Sequence, residues 1–241
     1  MSTTSFAFAF HGLTAQVEWD EDNQDFSQLM LPVFTPVATG QARFVVCGDE
    51  IIGPDGDSVR ARRIDRLEAL ERSLHFHLAN HCPEVVFVHA GVVAWQGRAL
   101  ILPGSSFAGK STLVHQLTLA GAGYLSDEYA IIDRQGLIHP FPRPISLREP
   151  LQRVMPPDPL LEPVPLGAVF STRYSPDEPW NPIELSGASG VLEMLAHTVT
   201  ARTQPELAMH CLAQGVSQAR CWRTPRAEAA EAAQRILQCL S

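Results

Sequence analysis

Lysine is scarce in this sequence, aromatic residues make up only 7% of it, and no long apolar run interrupts it. A formal net charge of −8 at pH 7 argues against a nucleic-acid surface, which needs clustered Lys and Arg to neutralise phosphates, so no nucleic-acid partner is expected. No stretch approaches the roughly 20 apolar residues that cross a bilayer, so no membrane partner is expected either. Residues Met1 to Phe6 carry no basic segment followed by an apolar core, which predicts no secretory leader and a cytoplasmic location. The five cysteines, Cys47, Cys82, Cys211, Cys221 and Cys239, contain no C-x-x-C pair and are odd in number, and so read as reduced, structural thiols. No internal repeat or low-complexity tail is present. What remains is a 241-residue chain, 45% hydrophobic and 18% charged. That is enough for one large domain, or for a catalytic domain with a small N-terminal region.

Against this background Lys110 stands out. It closes the run Gly104-Ser105-Ser106-Phe107-Ala108-Gly109-Lys110-Ser111, followed by Thr112, which fits the phosphate-loop pattern G-x-x-x-x-G-K-[ST] at every fixed position. The chemistry needs this order of residues. Glycines let successive backbone N–H groups turn inward toward phosphate oxygens, the lysine reaches the β- and γ-phosphates, and the hydroxyl of Ser111 can ligate Mg²⁺. The apolar run Ala99-Leu100-Ile101-Leu102 leads in as a strand, and Ser111 to Ala120 leads out as a helix whose N-terminus adds positive potential.

The organisation around this loop is mixed. Residues 1–82 read as a small β-rich region, with Phe6 to Phe10 and Thr14 to Trp19 forming a hairpin about His11-Gly12 and Ala42 to Cys47 forming a further strand. A helix from Arg63 to Ala79, with Ile64, Leu67, Leu70, Leu74 and Leu78 at helical spacing, connects it to the nucleotide-binding region 83–241. Val85 to Val88 and Gly91 to Trp95 precede the turn Gln96-Gly97, so the strand before the loop strand is expected to be antiparallel to it. Tyr124 to Glu128 reads as a short strand ending in two acids, and Tyr129 to His139 as another hairpin. The proline-rich segment from Pro140 to Pro165 reads as an extended loop, Leu166 to Tyr174 as a strand, and the rest as helical. The helical part has a cap at Ser186 or Ser189 and helices near Pro205 to Ala219 and Arg226 to Leu240.

A phosphate loop is compatible with many NTPases, and the acids after it narrow the choice. Phosphoryl transfer to an alcohol uses Mg²⁺, a carboxylate that helps to hold it, and a base for the hydroxyl proton. Asp127 and Glu128 supply two carboxylates shortly after the loop helix. Asp127 is read as the base and Glu128 as its metal-side partner, with Asp127 and Ser111 also in reach of the ion. Neighbouring strand residues point to opposite faces, so only one acid should face the nucleotide unless the strand has already ended.

His89-Ala90-Gly91 before an antiparallel hairpin, the loop from Gly104 to Thr112, and Tyr124-Leu125-Ser126-Asp127-Glu128 together resemble the HPr kinase/phosphorylase family and its kinase-like relatives. The resemblance covers roughly residues 85–150. It implies an α/β, phosphoenolpyruvate-carboxykinase-like P-loop core with a mixed, partly antiparallel sheet, beside a small β-rich N-terminal region and a helical C-terminus. It also implies ATP and Mg²⁺ at the loop, and transfer to a serine hydroxyl of a peptide or small protein. The family's histidine ahead of the loop matches His89. Its acidic pair matches Asp127 and Glu128, the first acid being the proton acceptor. The arginine-glycine segment that marks the bifunctional members is absent as such, and only Arg148-Glu149 falls in a similar place. The run from Pro140 to Arg148 looks more like relatives in modified-peptide pathways, including kinases of lasso precursor peptides. Arg143, Arg148 and Arg173 are candidates to face phosphoryl charge. Family members are often hexamers, which leaves a homo-oligomer open.

His75, His77 and His81 lie close together, the last two four apart on the expected helix, a spacing suited to zinc. No carboxylate or Cys completes a convincing set, although Cys82 is adjacent, so this cluster reads as structural. Arg60, Arg62, Arg63 and Arg66 read as a solvated helix start. The leading expectation is an ATP- and Mg²⁺-dependent kinase with a serine-containing peptide or small-protein acceptor. A nucleotide-binding accessory protein without turnover and a small-metabolite kinase are the alternatives.

Overall fold

A computed structural model describes residues 3–20, 25–62, 65–105, 108–148 and 151–240, apart from the side chains of Arg148 and Leu151. The chain divides into two compact units, Met1–Glu84 and Val85–Ser241. No helix among the described residues is long and apolar enough to cross a membrane.

In the first unit, β1 (Thr3–Phe10) and β2 (Leu13–Asp20) pair antiparallel across a two-residue turn. His11 and Gly12 both have positive φ there, the geometry that matches the twist of the flanking strands. β3 (Thr35–Pro36) flanks β1, β4 (Ala42–Cys47) runs parallel to β2, and β5 (Glu50–Ile52) and β6 (Ser58–Arg60) complete the order β3-β1-β2-β4-β5-β6. Aromatic residues fill its core. Phe8 stacks on Phe34 with ring centroids 4.0 Å apart, and Trp19 meets Phe26 edge-on. Helix α1 (Arg66–His81) buries Leu70, Leu74 and Leu78, the apolar stripe expected from their spacing, while Ile64 lies outside the described residues.

The second unit is built on a sheet of order β11-β10-β7-β8-β14-β16-β15, with β9 also paired to β7. β7 (Val85–Trp95) and β8 (Arg98–Pro103) form an antiparallel hairpin about Gln96-Gly97, again with both φ positive. After β8 come α2 (Lys110–Leu119), β9 (Gly123–Ser126), β10 (Tyr129–Asp133) and β11 (Leu137–His139). β12 (Ile145–Arg148) and β13 (Leu151–Val154) form a separate hairpin. β14 (Val164–Tyr174), β15 (Ile183–Leu185), α3 (Gly187–Leu195), α4 (Pro205–Val216), β16 (Arg220–Arg226) and α5 (Ala229–Leu240) follow. The loop strand β8 thus has an antiparallel neighbour, β7, on one side and a parallel one, β14, on the other.

Alternation along the strands creates two apolar faces. Val86, Val88, Val92, Ala99 and Ile101 pack with Val191 and Met194 of α3 and Leu207 and Leu212 of α4. Val93, Leu100, Leu102 and Phe170 pack on the other side with Leu113 and Leu117 of α2 and Ile236 and Leu237 of α5. The result is a mixed α/β fold with helices on both faces of a sheet and helices at the C-terminal end. Gly91 lets α2 pack closely on β7, since a Cβ there would collide with Val114.

Two segments differ from the reading of the sequence. The proline-rich stretch is not wholly a loop, because Ile145–Arg148 and Leu151–Val154 pair antiparallel as β12 and β13. The last third is not wholly helical, because β15 and β16 extend the sheet, with β16 parallel to β14. Pro225 and three arginines obscure the strand pattern of β16, and Pro225 is tolerated near the strand's end, where little of the ladder remains. Arg226, read as the start of the last helix, ends this strand instead.

Candidate phosphate-binding site

β8 ends at Pro103, and the chain turns through Gly104 and Ser105 before α2 starts at Lys110. Gly104 N–H donates to the carbonyl of His89, tying the start of the loop to β7. Gly109 caps α2 with φ of 76°, a left-handed conformation that favours glycine. Ser106 and Phe107 lie outside the described residues, while Gly104, Ser105, Ala108, Gly109, Ser111 and Thr112 lie within them. Lys110, the only lysine of the chain, donates from Nζ to the carbonyls of Gly104 and Ser105, both at 2.8 Å. Burial pushes its pKa down to about 8, against the opposing pull of the Asp127 charge.

The acidic pair sits where β9 gives way to β10. Both strands lie antiparallel on β7, β9 against Val92 to Ala94 and β10 against Val85 to His89. Between them Ser126 Oγ accepts from the N–H groups of Glu128 and Tyr129, and Ala90 N–H donates to the carbonyl of Glu128. Because residues 127 and 128 belong to neither strand, the alternation rule lapses and both acids border one cavity of about 710 Å³. Lys110, Ser111, His89 and Arg143 border it too.

Burial pushes the pKa of Asp127 up to about 6, against the Ser111 hydroxyl and the Ser146 backbone N–H, which favour its carboxylate. Its Oδ1 is buried without a hydrogen-bond partner. Glu128 instead forms an ion pair with Arg143, whose carbonyl accepts the Tyr124 hydroxyl at 2.6 Å. His89 on β7 is pushed down to about 4, first by burial and then by the charges of Lys110 and His197, so its ring is neutral at pH 7. The cavity therefore gathers the Lys110 and Arg143 cations and the Asp127, Glu128 and Glu228 carboxylates under partial desolvation, which strengthens every electrostatic contact within it.

The arginine candidates separate. Arg143 lies in the site. The backbone of Arg148 ends β12, but its side chain lies outside the described residues. Arg173 pairs with the exposed Glu178 at 2.6 Å and is an ordinary surface ion pair. A further arginine does reach the loop. Arg226, 3% exposed at the end of β16, donates from Nη2 to the carbonyls of Ala108 and Gly109 at 3.1 and 3.2 Å. Any side chain at Gly109 would meet its guanidinium, so loop and arginine fit only with glycine there. No local signal marks Arg226, which acts on a loop over a hundred positions earlier in the chain through the parallel pairing of β14 and β16.

The five cysteines are unpaired. Burial pushes the thiols of Cys82 up to about 12 and of Cys211 and Cys221 to about 11, leaving these three inert at neutral pH.

No protein-family model matches the chain, and the search of curated proteins finds no match to it.

Proposed function

We propose that the chain is an ATP- and Mg²⁺-dependent kinase with a phosphoenolpyruvate-carboxykinase-like core. It would transfer the γ-phosphoryl group to a hydroxyl, with a serine of a peptide or small protein as the acceptor class that the family resemblance implies. One observation carries the reading: the Ser111 hydroxyl, the Asp127 carboxylate and the Lys110 ammonium meet at the start of α2, beside a cavity about 710 Å³ in volume. A carboxylate oxygen buried without a partner beside a serine hydroxyl suits a hard cation or a transferable proton.

Ser111 and the acidic pair are the residues that would hold Mg²⁺, which when bound neutralises charge on the β- and γ-phosphate oxygens. Lys110 and the N–H groups at the start of α2 supply fixed positive potential to the phosphates. Arg226 holds the loop carbonyls of Ala108 and Gly109 away from that anion. In the transfer, the acceptor oxygen forms a bond to phosphorus as the bond to the β-phosphate oxygen breaks, and the hydroxyl proton passes to Asp127. A carboxylate with a pKa of about 6 is mostly ionised at pH 7 and still close enough to neutrality to be an effective base. Arg143 holds Glu128 at the edge of the same site.

The Ser111 hydroxyl and Asp127 border the same cavity, which also favours the exchanged assignment, in which Asp127 is the metal-side acid and Glu128 the base. Labelled ATP with serine peptides and small hydroxylated metabolites as acceptors, run on the wild type, Asp127→Asn and Glu128→Gln, tests both. Asp127 as base predicts that Asp127→Asn keeps Mg²⁺-dependent ATP binding and loses transfer, whereas the exchanged roles predict that pattern for Glu128→Gln. Undiminished transfer in both variants overturns the kinase reading.

A further inference from the structure

The fold brings a third ligand to the histidine pair of α1. Asp55 sits in the turn between β5 and β6, closed by hydrogen bonds from Gly53 N–H to the Asp57 carbonyl and from Gly56 N–H to the Gly53 carbonyl. His77 and His81 lie one turn apart at the end of α1, their rings stacked with centroids 4.2 Å apart. One ligand atom from each of the three residues lies within 4.8 Å of the other two, and His77 Nδ1 is 4.0 Å from Asp55 Oδ2.

We propose that Asp55, His77 and His81 form a binding site for a divalent transition ion of the zinc type, with a fourth coordination position open to solvent. The 4.0 Å gap is too long for a hydrogen bond. It is close to the roughly 3.3 Å that separates two donor atoms sharing a tetrahedral ion at bond lengths of about 2.0–2.1 Å, so small side-chain rotations complete the geometry. Two imidazoles select zinc, cobalt or nickel over Mg²⁺ and Ca²⁺, which take oxygen donors. Asp55 and His81 are exposed, so the ion has an entry path, while His77 is half-buried and held edge-on by Phe44 at 5.6 Å. Three protein ligands leave a position for water or an external donor. When filled, the site ties the β5–β6 turn to the last turn of α1, two segments that the sequence separates.

The test uses the tag-free full chain with Co²⁺ and then Zn²⁺ as probes. The proposal expects one equivalent of Co²⁺ with the visible bands of a four-coordinate ion, displacement by Zn²⁺, and a zinc-dependent rise in the unfolding midpoint. His81→Ala and Asp55→Asn, both at exposed positions, should each weaken zinc binding about tenfold or more while leaving the metal-free midpoint in place. Asp127→Asn should bind zinc as the wild type does, which separates this site from the phosphate loop. The proposal is overturned by absence of stoichiometric binding, by unchanged affinity in both His81→Ala and Asp55→Asn, or by loss of binding in Asp127→Asn.

Discussion

In the first unit ion pairs lie at the surface, Arg43 with Glu18 at 2.8 Å and Arg72 with Glu68 at 2.9 Å, while Phe8, Phe34, Trp19 and Phe26 form the interior. Around α2 the arrangement is reversed. Lys110 and Asp127 are half-buried and Arg226 is buried, and burial shifts each of them toward its uncharged form. Desolvating charge costs stability unless something offsets it, and under the proposed function the incoming phosphates would supply that offset. The exposed pairs of the first unit mark only a well-solvated surface.

The comparison can be broken at several points. The largest effect is expected from Lys110→Ala, which should lower phosphoryl transfer about 10³-fold, as measured with labelled ATP, because no other lysine exists to replace it. Next, Phe8→Ala should destabilise the chain by about 3–5 kcal/mol in denaturant unfolding, since its fully buried ring leaves a cavity against Phe34. Asp127→Asn should act in the opposite sense on stability. The folded-state pKa of about 6 lies above the unfolded value near 3.8, so the folded chain holds a proton that the unfolded chain releases between those values. Stability therefore falls as pH rises through that window, and the whole penalty is present at pH 7. Removing the charge should raise stability by about 2 kcal/mol at pH 7, with the gain fading toward pH 4 as wild-type Asp127 becomes protonated. Arg72→Ala should have the smallest effect, a slight fall in the unfolding midpoint that disappears in high salt.

The parts of the molecule legible in the sequence are those written in local pattern. The β1–β2 and β7–β8 hairpins follow from alternation around two-residue turns, and α1 follows from Leu70, Leu74 and Leu78. The start of α2 follows from the glycines and lysine of the loop. What was not legible depends on pairing between distant segments. β16 is a strand because the distant β14 and β15 pair with it on either side, so Arg226 under the loop carbonyls could not be foreseen. The same holds for Asp55 beside His77 and His81. That both acids of the pair reach one cavity depends on the break between β9 and β10, set by Ser126 Oγ rather than by any spacing.

Because Lys110 is the only lysine, a chain labelled with carbon-13 at the lysine Cε gives one lysine side-chain resonance, and its pH titration with and without ATP and Mg²⁺ tests the phosphate site most directly. Without nucleotide the midpoint should lie at about 8. With ATP the neighbouring phosphates should favour the ammonium and move it above about 10. A titration curve that excess ATP leaves unchanged would contradict the assignment of this site to a nucleoside triphosphate.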